Sequence, residues 1–205
     1  MRARRLVVAS RNENKIREIK GLLCGLKLQV VGINELGDFP EIAEDGATFQ
    51  ANARKKAEET ARLVWEPVLA DDSGLEVDAL GGAPGVHSAR FAGADADDAA
   101  NNRLLLRKLE GLALERRGAQ FRCVMALAFP GGDVQFSEGI CRGLIGFEPK
   151  GAGGFGYDPL FLVAEYGLTF AELEPATKNR ISHRSLAMAG MLKLLRGLVI
   201  NEERC

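Results

Sequence analysis

Short apolar runs alternate with stretches of helical period along this chain. Leu6 to Ala9 is an unbroken apolar run of strand length, and the polar stretch Ser10-Arg11-Asn12-Glu13-Asn14-Lys15 ends it. Ile16, Ile19, Leu23 and Leu26 then recur at the spacing of one helix face. The pattern predicts strand, polar turn and helix, with Asn12 or Asn14 available as the N-cap. Leu28 to Ile33 is a second short strand. Thr48 to Val64 gives the clearest helix, whose inward face is Phe49, Ala53, Ala57, Thr60, Ala61 and Val64. Asp97 to Glu110 is a further helix carrying Leu104, Leu105 and Leu109 inward. Gln120 to Phe129 alternates, with Phe121, Cys123, Met125, Leu127 and Phe129 on one side. Gly131-Gly132-Asp133 turns it into Val134 to Ile140, an antiparallel pair that continues through Cys141 to Phe147. The last segment runs from Thr177 through Arg184 into a helix with Leu186, Met188, Ala189, Leu192 and Leu195. At 205 residues the simplest reading is one mixed α/β domain, 1–205, with room for two lobes.

One stretch breaks the pattern. Val68-Leu69-Ala70 starts as a buried strand but runs directly into Asp71-Asp72-Ser73-Gly74 before Leu75-Glu76-Val77 resumes. Strand interiors disfavour Asp and Gly, and such breaks are expected where stability is given up for function. Successive strand residues point to opposite faces, so Asp71 and Asp72 should do different jobs. An Asp-Ser-Gly turn at a strand end is the competing explanation.

Composition narrows the chemistry. Lys and Arg number 27 against 28 Asp and Glu, so no general pull toward nucleic acid or a membrane surface is expected, and any anion site must be local. Aromatic residues are scarce, which disfavours a base-stacking platform. Cys24, Cys123, Cys141 and Cys205 lack Cys-x-x-Cys spacing and the only histidines are His87 and His183, so neither a structural zinc site nor a disulfide framework is expected. Met1 to Arg5 is basic, but the apolar run after it is too short for a signal core or a membrane span. A cytoplasmic protein without membrane or nucleic-acid partners is the expectation.

The local anion chemistry sits at element starts. A helix N-terminus suits phosphate, and Lys15, a cation in a first turn, conflicts with the helix dipole unless an anion lies between. Lys56 follows Phe49 by seven residues and so projects near the inward face of its helix, where it must snorkel or meet an anion. Asn52 lies one turn before it. Lys178, His183 and Arg184 precede or open the last helix. Gly151 to Pro159 is the densest glycine stretch, with Phe155 and Tyr157 placed to lie on a planar group. Asp38, Glu41, Glu44 and Asp45 form an acidic loop. Cations for phosphate, carboxylates for a hard metal and a glycine-lined slot together read as a nucleotide pocket with Mg²⁺, although neither glycine pattern of the common nucleotide motifs is present.

Taken together, the motifs resemble those of the inosine triphosphate pyrophosphatase family. These are Ser10-x-Asn12-x-x-Lys15, Glu44-Asp45-Gly46-x-Thr48-Phe49, Asn52-Ala53-x-x-Lys56-Ala57 and Ala70-Asp71-Asp72-Ser73-Gly74-Leu75-x-Val77. They continue with Leu80 to Gly85, Ser88-Ala89-Arg90, Gly153 to Pro159 and Ile181-Ser182-His183-Arg184. The resemblance implies Mg²⁺-dependent hydrolysis of ITP, dITP or XTP to the monophosphate and pyrophosphate. It implies a long bent sheet flanked by helices in two lobes, with the nucleotide in the cleft between them, and a homodimer. It assigns the triphosphate to Ser10, Arg11, Asn12, Glu13, Asn14, Lys15 and Lys56, and the metal to Glu44 and Asp72, the latter also as proton acceptor. Ser73 would touch substrate, Phe155, Gly156, Tyr157 and Asp158 would shape the base and sugar pocket, and Lys178, His183 and Arg184 would contact base or phosphate. The family commonly has Glu where this chain has Ala51, which would throw more of the metal site onto Glu41, Glu44 or Asp45. Two other classes compete. An Asp-nucleophile phosphomonoesterase expects Asp-x-Asp rather than an adjacent pair and would release orthophosphate, while a nucleotide sensor would bind without turnover.

Overall fold

The computed structural model describes residues 4–200. Met1 to Ala3 and Asn201 to Cys205, with most of the basic N-terminus and the fourth cysteine, lie outside the described residues. In chain order the elements are β1 (Arg4–Val8), α1 (Glu13–Leu22), β2 (Leu28–Gly32), α2 (Phe49–Val64) and β3 (Val68–Val77). There follow α3 (Asp98–Lys108), β4 (Gly118–Ala128), β5 (Val134–Ile145), β6 (Phe161–Val163), β7 (Leu168–Thr169), α4 (Pro175–Ile181) and α5 (His183–Ile200). The strands form one sheet in the order β2-β1-β3-β4-β5-β6-β7. β1 pairs in parallel with β2, Leu6 opposite Val30, and with β3, Val7 opposite Val68. β5–β6 and β6–β7 are antiparallel. Five residues join β4 to β5, too few for a parallel crossover, so that neighbouring pair is a hairpin. The sheet is therefore mixed, as the residue pattern predicts. Among the described residues no helix is long and apolar enough to cross a membrane.

The chain divides into two compact units, and the division cuts through β3 after Asp72, β4 after Arg122 and β5 after Gly139, and falls before Arg184. In the first unit Leu6 and Val8 of β1, Ile19 and Leu23 of α1, Leu69 of β3, and Ala187, Met188 and Met191 of α5 share a core with Cys123, Met125 and Leu127. In the second, Leu75 and Val77 of β3 pack with Leu105 of α3, its C-cap Leu109, Phe121, Tyr157, Phe161 and Phe170. Burial of this apolar surface, at roughly 25 cal/mol per Å², is what holds each unit.

Three expectations change. First, no turn interrupts the Asp-Asp-Ser-Gly stretch: β3 is continuous for ten residues. Second, β4 is covered on both faces from Cys123 to Ala128, so Val124, Ala126 and Ala128 are buried alongside the alternate set. Third, Lys178 precedes the last helix as expected, but it lies inside a separate short helix, α4, whose end at Ser182 returns to extended backbone before α5 begins at His183.

Candidate functional site

In the first unit the chemistry gathers around β3. The α1 cap is Asn12, whose Oδ1 accepts from the backbone N–H of Lys15 at 3.1 Å. Ser10 Oγ accepts from Asn12 N at 3.2 Å, and Arg11 donates to the Phe39 carbonyl. Arg11, Asn12, Glu13 and Asn14 are exposed, and Ser10 and Lys15 are half-buried. The turn thus presents a row of polar groups held by local bonds. The anion that Lys15 lacks by sequence is the chain's own: its Nζ lies 3.1 Å from Asp71 Oδ2.

Asp71 is 1 % exposed, and Arg184 Nη2 reaches the same oxygen at 3.4 Å. Burial by itself would raise the Asp71 carboxyl, yet Lys15, Arg184 and Lys56 hold it well below the usual carboxylate range. Arg184 is 2 % exposed and also pairs with Glu18. Its guanidinium is turned inward, and the surrounding acids raise its pKa against the pull of burial.

Asp72 meets different partners, as its opposite orientation requires. Asn52 Nδ2 donates to its Oδ2 at 2.9 Å, while Asn52 Oδ1 accepts from the Gly46 N–H at 2.7 Å. Burial, helped by the negative charge of Glu44, pushes the Asp72 carboxyl above its ordinary value despite Lys56 and Lys15. Lys56, 9 % exposed, resolves its inward placement by donating to the Asp71 carbonyl at 2.6 Å and pairing with Glu44. Burial lowers its pKa, but Asp71, Glu44 and Asp72 outweigh that and raise it. Asp45 is committed to Lys55 at 2.8 Å, and Glu41 is exposed. Of the loop acids, Glu44 is therefore the one drawn into the cluster. Gly46 has a steric reason as well: a Cβ there would lie 2.6 Å from Asn52 Oδ1.

The cluster contains three cations, Lys15, Lys56 and Arg184, and four carboxylates, Glu18, Glu44, Asp71 and Asp72. Its acids are in excess, and two of them, Glu44 and Asp72, repel each other. A hard dication suits such a donor set. Among the described residues no three His, Cys, Asp or Glu side chains gather as a metal cage. An ion such as Mg²⁺ takes one or two protein carboxylates and fills its shell with water and phosphate oxygens.

In the second unit the Gly-rich segment folds around Asp158. Asp158 Oδ2 accepts from Phe155 N at 2.9 Å and from Lys178 Nζ at 2.7 Å. The Lys178 ammonium also lies over the rings of Phe155 and Phe170, at 5.5 and 5.7 Å. Gly154 has φ +74° and no space for a Cβ against the Asp158 side chain, so this tight wrap requires glycine. Gly156 is clamped from α3: its N–H donates to Asp98 Oδ2 at 2.6 Å and its carbonyl accepts from Asn102 Nδ2 at 2.9 Å. Ser73, the first residue of this unit on β3, is half-buried. His183 is buried and stacks on Phe121, ring centres 4.7 Å apart and planes 12° apart.

Not every residue of the Gly-rich segment faces outward. Tyr157 is buried, and its hydroxyl donates to the Ser88 carbonyl at 2.8 Å. Burial raises its phenol well above the ordinary value. Its place is in the core. Tyr157→Phe should cost about 1 kcal/mol in urea unfolding, the usual worth of one such bond, and leave KM for a nucleotide unchanged. A larger change in KM than in stability would mean that the hydroxyl itself touches the nucleotide.

Sequence reasoning missed Glu18, Asp98 and Asn102. Asn102 carried a signal: it precedes Leu105 by three residues and Leu109 by seven, so a buried amide interrupts the apolar stripe of α3. Glu18, in mid-α1, and Asp98, in the first turn of α3, offered none.

A buried carboxylate pair braced by cations in one unit, and a glycine-built loop in the other, on a mixed sheet, define a class of nucleotide-handling α/β proteins rather than a phosphate-loop or dinucleotide fold. The chain belongs to the Ham1 family, whose profile matches residues 6–194. It is 53 % identical over 199 residues to a protein of Desulforamulus reducens named dITP/XTP pyrophosphatase, covering 97 % of this chain and 99 % of that one. A protein of the same name from Geobacter sulfurreducens is 52 % identical over 185 residues, 90 % of this chain and 93 % of the other. The solved Ham1 protein of Coxiella burnetii superposes with a TM-score of 0.86 at 40 % identity, covering 95 % of this chain and 99 % of that one. The motif resemblance and the fold class therefore hold.

Proposed function

We propose that this protein hydrolyses non-standard purine nucleoside triphosphates, ITP, dITP and XTP, to the monophosphate and pyrophosphate. The relatives named dITP/XTP pyrophosphatase match along nearly their whole length. The observation that carries the chemistry is the pair of adjacent buried acids with opposite pKa shifts, Asp71 lowered and Asp72 raised. Environments that push two neighbouring groups apart separate their roles. Asp71 stays ionised and orders Lys15 and Arg184. Asp72, made more basic by burial, accepts a proton.

In this reading water attacks the α-phosphorus, the bond from that phosphorus to the bridging oxygen breaks, and pyrophosphate leaves with the bond's electron pair. The water's proton passes to an Asp72 carboxylate oxygen. Ser10 to Lys15 and Lys56 hold triphosphate oxygens and stabilise charge there. Glu44 and Asp72 would hold Mg²⁺, which when bound neutralises phosphate charge and lowers the pKa of bound water. Ser73 contacts the substrate. Phe155 and Gly156 shape the base and sugar pocket, with Asp158 and Tyr157 shaping it from beneath. Lys178 and His183 contact base or phosphate, and a donor to the 6-oxo group selects against the 6-amino group of ATP. Sites built on such a hydrogen bond discriminate by about 10⁴ or more. Arg184 acts through Asp71. Catalysis by a cytoplasmic homodimer completes the reading.

The test is a product assay over ITP, dITP, XTP, GTP and ATP with and without Mg²⁺. Pyrophosphate should appear with the first three and depend on the metal. Orthophosphate as the first product would favour a phosphomonoesterase, and tight binding without turnover a sensor. His183→Ala should reduce the ITP to ATP preference. An unchanged preference removes His183 from base selection.

A further inference from the structure

Two side chains of α3 have no part in the proposed reaction. Asp98 and Asn102 stand four residues apart, on one face of the helix. Both reach the backbone of Gly156: Asp98 Oδ2 accepts its N–H at 2.6 Å, and Asn102 Nδ2 donates to its carbonyl at 2.9 Å. Those two groups belong to different peptide planes, one on each side of the Gly156 Cα. The bonds therefore fix both dihedrals of a residue type with more backbone freedom than any other. Gly156 is held at φ +62°, in the left-handed region. A Cβ there would meet nothing within 4 Å, so the turn is gripped from α3 and open where a side chain would stand.

The identity of the two residues points the same way. Asn102 is buried, and its Oδ1 has no hydrogen-bond partner. A position that only had to fill the core would take an apolar side chain and avoid the cost of that oxygen. The half of the amide that is used goes to Gly156. Asp98 is not the cap of α3, because Asp97 Oδ1 already accepts from Ala100 N at 2.7 Å. What the pair controls is Phe155. The Phe155 N–H donates to Asp158 Oδ2 at 2.9 Å, and the next N–H along the chain is the one held by Asp98. Both peptide planes beside the Phe155 Cα are thereby anchored, which sets the direction in which its ring leaves the backbone.

We propose that Asp98 and Asn102 are positioning residues for nucleotide binding, which act through Gly156 to hold the Phe155 ring in the orientation that receives the base. This rests on the assignment of Phe155 and Gly156 to the base and sugar pocket. A ring already in place does not have to be ordered when the substrate arrives, so the effect falls on affinity and not on the chemical step. All of these residues lie in the second unit.

The test is steady-state hydrolysis of ITP by single variants. Asp98→Ala should raise KM about fivefold or more, the scale of one hydrogen bond. Its kcat should stay within about twofold, as when binding alone is lost. Asp98→Asn keeps an oxygen for the Gly156 N–H and should leave KM near that of the unaltered protein. Both variants remove the same charge from the first turn of α3, so a role confined to the helix would give them equal KM values and overturn the proposal. Asn102→Leu keeps the bulk, removes the donor and should likewise raise KM, measured well below its melting temperature; an unchanged KM overturns its role. Should it fail to fold, the two Asp98 variants decide. Phe155→Ala separates this inference from the pocket assignment. An unchanged KM in Phe155→Ala sinks both, whereas a raised KM there with an unchanged KM in Asp98→Ala sinks this inference alone.

Discussion

Asp72→Asn should lower turnover of ITP or dITP by about 10²-fold or more, the scale of a lost general base, while the protein melts at the same temperature or higher at pH 7. The two halves of this expectation have one origin. Asp72 is buried, its carboxyl is raised by desolvation and by Glu44, and the fold therefore bears a cost in keeping it ionised. Because its folded value lies above its unfolded value, that cost is absent at low pH and appears as pH rises through the folded value. Asparagine retains an oxygen for the Asn52 Nδ2 bond and removes the charge. Activity falls because an amide takes no proton and holds no hard cation well. Paired measurements of kcat and of thermal unfolding on the same preparation check both. Near-normal turnover would remove Asp72 from the chemistry, and a large drop in melting temperature would mean that its charge supports the fold.

The neighbouring change should do the opposite to stability. Asp71→Asn leaves a buried Arg184 and a half-buried Lys15 beside a neutral side chain, and breaking a buried pair by removing one partner costs about 3–5 kcal/mol. The pH dependence follows from the sign of the shift. Asp71 has a depressed carboxyl, so its contribution is fully present above the unfolded value of about 4 and is lost as pH falls toward the folded value. The unaltered protein should lose stability steeply in acid, and Asp71→Asn should start lower and fall less over the same range. Urea unfolding between about pH 2 and 7 measures both curves. Parallel curves would show that Asp71 is not the anchor of this network.

These two residues also mark how far the residue pattern could be read. The period-2 rule assigned Asp71 and Asp72 to opposite faces, and their partners differ accordingly: Lys15 and Arg184 for one, Asn52 for the other. The α1 cap and the inward aim of Lys56 were legible for the same reason, since both depend on spacing within one element. The continuity of β3 was not. Local propensity makes Asp-Asp-Ser-Gly look like a turn, and what overrides it comes from other elements, α1, α2 and α5, which a reading of one stretch does not see. The same holds for Arg184 and Glu18, 166 positions apart, and for the hold of Asp98 and Asn102 on Gly156. That Lys178 stands on a short helix of its own was not legible, because a run of cations gives no period. Only the break at Ser182 separates α4 from α5.

Asn52 is a crossbrace. One amide, at the second turn of α2, ties the backbone of Gly46 on one side to the Asp72 carboxylate on the other. The distance between the acidic loop and the central strand is thus set by two neighbouring side chains of α2, Asn52 and Lys56, the latter joining Glu44 to the Asp71 carbonyl. Natural variants of this chain should accept insertions upstream of Glu44, where the loop is open to solvent, but not between Gly46 and Asn52, where one added residue would unhook the brace and let the two acids drift apart.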